Sequence, residues 1–243
     1  MSASHDVLNL AEKTFARSRV GGGSARVAKA EIPVRTAPID KHTKELQQLV
    51  NRVFLSPRVA APKTVAFASI SDGAGSGLTC ARAAQLLARQ NAGPVCVLDG
   101  NFSAKHLSSY YFPHQVPKPD GQGVFSREHC IPIEDNLWLA GDWVLRDEQG
   151  QLLPLIQIQK HLETLAVIFH YLLIDTAALL RSEDALTLAE LAGAVVLIIE
   201  ANVTLRRDAD KVTQSLQSQG VRILGAVLNN WTPPDSNSLY SRI

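Results

Sequence analysis

The stretch SDGAGSGLT, Ser71 to Thr79, follows an apolar run, TVAFASI, and precedes a helical pattern, CARAAQLLARQ. A glycine-rich turn between a strand and a helix is where backbone N–H groups and the positive end of a helix can hold an anion. Gly73, Gly75 and Gly77 let the backbone turn inward, and Ala74, Ser76 and Leu78 complete the loop. The working pattern for this chemistry, GxxxxGK[ST], uses a lysine on the β and γ phosphates and a hydroxyl on magnesium. With Gly75 as the glycine before the lysine, Ser76 stands at the lysine position and Gly77 at the hydroxyl position. A phosphate could be cradled there by backbone alone. Two acids, Asp99 and Asp175, and an amide, Asn229, also fall at the ends of apolar runs. Asp99 and Asp175 are the candidate catalytic and metal-binding residues, magnesium being the metal. Asn229 joins the glycine loop as a candidate nucleotide contact.

These positions need a frame. Strand-like blocks are read at VAFASI (65–70), PVCVLD (94–99), FHYLLID (169–175), AVVLIIEA (194–201) and RILGAVLNN (222–230), with another at NLWLAGDWVL that ends at Gly141. Helical patterns alternate with them, and KHTKELQQLVNRVFL precedes the first with Leu46, Leu49, Val50 and Val53 on one face. Near-continuous apolar strands alternating with helices predict an α/β fold, a doubly wound, mainly parallel sheet flanked by helices. In such sheets ligands collect at the carboxyl ends of the strands, where all of the candidate residues lie.

Three domains of behaviour are expected along the chain. Residues 1–40 read as a short amphipathic segment with Val7, Leu8, Ala11 and Phe15 on one face, then a linker with a triple glycine. Residues 41–232 form the folded domain, and 233–243 a tail with Pro233, Pro234 and Tyr240. A net charge of +1 gives no general reason to bind nucleic acid. The cysteines Cys80, Cys96 and Cys130 are too scattered for a zinc site and are expected as free thiols in a reducing cytosol. No apolar run reaches the ~20 residues of a membrane span. The chain is expected to be soluble and cytoplasmic.

The segments ELQQLVNRVFL, FASISDGAGSGLT, VCVLDGNFSAKHL, LWLAGDWVL and YLLIDTAALL through VLNNW occur in the order found in bacterial tyrosine kinases of exopolysaccharide and capsule synthesis, and together they resemble that family from about residue 43 to 230. Its broader relatives are the MinD and ParA ATPases, so the resemblance implies a P-loop fold with ATP or ADP and magnesium as ligands. Asp175 matches the Walker B aspartate, with Ala177 and Ala178 where the family has prolines. Asp99 matches the first acid of a DxD motif whose second acid is Asn101 here, and Ser103 stands in place of the usual arginine. Asn229 matches an asparagine near the base. The oligomerising pattern ExxRxxR reads Glu45, Gln48 and Asn51, so a homo-oligomer is implied without the arginines that build the family's ring. The tyrosine-rich tail is reduced to Tyr240.

The first expectation is a non-catalytic, kinase-like protein that docks on a membrane-embedded polysaccharide co-polymerase at the inner face of the membrane. The alternative is a divergent Mg-ATP-dependent kinase or ATPase that keeps Asp99 and Asp175 and borrows a cation from Lys63, Arg82, Lys105 or a partner's arginine. A dinucleotide site is a third reading, but GxGxG followed by Leu78 departs from GxGxxG.

Overall fold

A computed structural model describes residues 41–56, 61–90, 92–102, 106–112, 116 and 125–230. The expected N-terminal segment and linker, the tail with Tyr240, and Lys105 lie outside the described residues.

The elements run α1 (Lys41–Phe54), β1 (Thr64–Ser69), α2 (Ser76–Arg89), β2 (Val95–Gly100), α3 (His106–Tyr111), β3 (Ile131–Glu134), β4 (Leu137–Ala140), α4 (Leu155–Ile168), β5 (Tyr171–Thr176), α5 (Glu183–Ala192), β6 (Ala194–Glu200), α6 (Arg206–Ser218) and β7 (Arg222–Asn229). Seven strands form one sheet in the order β3-β4-β2-β5-β1-β6-β7. All neighbours are parallel except the β3–β4 pair at one edge.

Both faces are covered, which is why the central strands carry almost no polar residues. On one face Val65, Phe67, Val97, Leu173 and Val196 pack against α1, α2 and α3. On the other, Leu98, Leu172 and Ile174 meet α4, and Ala66, Ala68, Val195 and Leu197 meet α5 and α6. The buried side of α2 is Cys80, Ala81, Ala83, Ala84, Leu87 and Ala88, and these small residues let the helix lie close to the sheet behind the glycine loop. At the start of β5, Tyr171 donates its hydroxyl to the Phe54 carbonyl at 3.2 Å and meets the Phe54 ring edge-on at 5.4 Å, which holds the end of α1 on the sheet.

Three local features differ from the sequence reading. The second helix begins at Ser76, ahead of the apolar pattern from Cys80, because the loop itself supplies the first helical turn. Residues 106–111, which the reading left without an element, form α3, with Leu107 and Tyr111 fully buried and the Tyr111 hydroxyl on the Ala81 carbonyl at 3.1 Å. Strand β3, also unassigned in the reading, is four residues long and contains Pro132, which an edge strand tolerates. The strand expected to end at Gly141 stops one residue earlier, at Ala140, and Gly141 leads into a short 3-10 turn at Asp142–Val144.

Candidate functional site

The glycine loop leaves the end of β1 and enters α2. Gly73 and Gly75 both have φ 82, a left-handed conformation that side-chain-bearing residues rarely adopt. At Gly75 the space is also taken: a Cβ would stand 2.6 Å from Asn229 Nδ2. Asn229, at the end of β7, donates that amide to the Ala74 carbonyl at 2.8 Å and so clamps the loop from the side. Ser71 and Thr204 hydroxyls approach to 3.5 Å and tie the loop's start to the segment after β6. The first main-chain bond of α2 is from the Thr79 N–H to the Gly75 carbonyl at 3.1 Å. The N–H groups of Ser76, Gly77 and Leu78 precede that ladder and are the natural anion contacts. Thr79 spends its hydroxyl on the same Gly75 carbonyl at 2.9 Å.

In front of the loop lies a cavity of about 460 Å³, lined by Ser69, Asp72, the loop from Gly73 to Leu78, Asn101, Tyr110, Ala177 and Ala178. The sequence-predicted loop residues Gly73, Ala74, Gly75, Ser76, Gly77 and Leu78 therefore do meet at one place. Among the lining residues the charged one is Asp72.

The two acids sit beneath this cavity rather than in its wall. Asp99 and Asp175 are aligned side by side where β2 pairs with β5, and they are 1% and 0% exposed. Gly100 permits that proximity, since a Cβ there would be 2.8 Å from the Asp175 carbonyl oxygen. Asp99 accepts from the Ser108 N–H at 3.0 Å and the Ser108 hydroxyl at 2.8 Å, which pins α3 to the end of β2. Among the described residues neither carboxylate oxygen of Asp175 has a well-formed hydrogen bond, the Ser76 hydroxyl being its polar neighbour. Burial pushes its pKa up to about 8; the neighbouring Ser76 hydroxyl pulls it partway down, and the Asp99 charge adds to the rise. That hydroxyl lies 3.5 Å from the Thr176 carbonyl. The same two acids, after burial itself, push the Cys80 thiol up, which leaves a buried, protonated cysteine behind the loop.

The borrowed cations do not converge on the cavity. Lys63 is exposed at the opposite end of β1, and Arg82 is half-buried on α2 outside the lining. The cation that does approach was not singled out from the sequence. Arg181 places its Nε 3.0 Å from Asp72 Oδ2. It is held there because the Leu179 and Leu180 N–H groups bond the Ser69 and Ile70 carbonyls at 2.9 and 3.3 Å, which zips the turn after β5 onto the end of β1. Tyr110 and Ser108 are further site residues that the sequence reading missed, both on the unassigned α3.

The loop's backbone fits a phosphate. The side chains do not fit a magnesium phosphate: Gly77 supplies no hydroxyl, Ser76 no cation, and the acids are sealed off below. Among the described residues no group of three His, Cys, Asp or Glu side chains is placed to hold a metal.

No protein-family model matches the chain. It is 23% identical over 172 residues to the tyrosine-protein kinase CpsD of Streptococcus pneumoniae, covering 69% of this chain and 75% of that protein. Its structure is similar to that of the chimerical protein CapA2B2, with a TM-score of 0.65, 17% identity, and coverage of 82% of this chain and 88% of the other. A ParA family ATPase from Chlorobium tepidum superimposes with a TM-score of 0.58 at 14% identity, covering 74% and 78% of the two chains. The fold is that of the bacterial tyrosine kinases and the MinD and ParA proteins, a P-loop α/β fold.

Proposed function

We propose that the protein is a non-catalytic member of the kinase-like proteins of bacterial exopolysaccharide or capsule synthesis, acting as a docking partner of a membrane-embedded co-polymerase. The observation that carries this reading is the cavity itself: a phosphate-shaped loop whose wall offers one carboxylate and, among the described residues, no lysine or arginine. Phosphoryl transfer depends on positioning and on neutralising charge that spreads over the transferred group, and a loop cation and a metal supply most of that neutralisation. Here the loop can position a phosphate but leaves its charge uncompensated. The likeness to the tyrosine-protein kinase CpsD supports the tyrosine-kinase lineage, and the intact hydrophobic frame supports a retained structural task.

Two measurements on the full chain test this. Incubation with Mg-ATP is expected to give neither phosphate release nor phosphotyrosine above a protein-free control. Cross-linking in the native cell is expected to recover a membrane protein of envelope polysaccharide assembly. Magnesium-dependent turnover that Asp175→Ala abolishes would sink the non-catalytic reading, and recovery of no envelope component would remove the docking role.

A further inference from the structure

The loop has an anion of its own. Asp72 lines the cavity one residue before Gly73, and its carboxylate holds Arg181 at 3.0 Å. The turn that carries Arg181 also supplies Ala177 and Ala178 to the cavity wall, and the ion pair sets the guanidinium beside Asp72, a residue of that wall. Among the described ion pairs it is the one that involves a cavity-lining residue.

We propose that Asp72 is an internal anion that occupies Arg181 and keeps phosphate-bearing ligands off the loop, so that specificity against nucleotides is set by this pair. The inference rests on reading the loop as a phosphate cradle without its own cation, and it deepens that reading. An incoming phosphate meets a repelling carboxylate beside the N–H groups of Ser76, Gly77 and Leu78, and the nearby cation is already engaged. Removing the carboxylate reverses both effects. The side chains are 77% and 68% exposed for Arg181 and Asp72, so the contact is weak enough to be exchanged for a better anion, and substitutions at either position leave the core untouched.

The test uses the full-length protein, with inorganic pyrophosphate and ADP as probes and no added metal, followed by calorimetry at low ionic strength. Asp72→Asn is expected to bind both probes about tenfold more tightly than the wild type, the size of effect a unit charge a few ångströms away produces at a partly solvated site. Arg181→Met in the Asp72→Asn background is expected to remove a clear part of that gain, the part that the freed guanidinium supplies, and raised salt is expected to shrink it. Equal or absent binding in Asp72→Asn and wild type would overturn the proposal. So would a gain that Arg181→Met leaves undiminished, since the guanidinium would then take no part, or one that is indifferent to salt, since shape rather than charge would then exclude the anion. The readout is a ratio between variants and stands apart from ATP turnover by the wild-type protein, which bears on the non-catalytic reading alone.

Discussion

Asp175 is the residue whose setting says most about the site. Its carboxyl is fully buried, has no well-formed hydrogen bond among the described residues, and is pushed up to about 8 by that burial, against about 4 for an unperturbed carboxyl. The folded state therefore binds the proton more tightly than the unfolded chain. Stability falls as pH rises from the unfolded value toward the folded one and is flat above it. Asp175→Asn keeps the shape and removes the titration. It is expected to melt like the wild type near pH 4 and at a clearly higher temperature at pH 8, a difference on the order of a few kcal/mol. Parallel melting curves across that range would mean that the carboxylate is ionised and compensated in the folded protein. The buried acid is also a poor magnesium ligand at neutral pH, because it must first give up its proton.

Among the elements, α3 shows how much of the site depends on contacts between distant segments. This six-residue helix is too short to be stable alone, and its place is set by Asp99 through Ser108 and by Tyr111 through Ala81. Ser108→Ala removes a 2.8 Å hydroxyl bond to a buried carboxylate and is expected to lower stability by about 1–2 kcal/mol, measurable as a shift in the denaturant midpoint. A variant as stable as the wild type would show that the hydroxyl bond does not anchor α3, leaving the Ser108 N–H bond to Asp99 and Tyr111 to hold it. The sequence reveals the apolar central strands because each needs residues that satisfy two covered faces. It also reveals the glycine loop, since a left-handed turn before a helix demands glycine. It does not reveal α3, β3 or Arg181, because pairing and zipping across the fold, rather than local pattern, put them where they are. The Asp99–Asp175 alignment sits between these cases: each acid is visible at a strand end, but their burial beneath the cavity follows from the order of strands.

Among the described residues, the sheet has a protected centre and two less covered edge strands. β1 lies between β5 and β6 with both faces covered, whereas β3 is a short antiparallel edge and β7 a half-exposed one. Amide hydrogen exchange is expected to be slowest in β1, β5 and β2 and faster in β3 and β7, as edge strands open without unfolding the core. Uniform protection across all seven strands would mean that something covers the edges in solution. Among the described residues no helix is long and apolar enough to cross a membrane. The bond from Asn229 to the Ala74 carbonyl has a consequence in time. It joins the loop after the first strand to the tip of the last, so the loop's shape is completed only when nearly the whole domain has been synthesised and β7 has docked. The ligand-facing turn emerges early from the ribosome and is finished late. A chain stopped before β7 would carry the glycines without the clamp that shapes them.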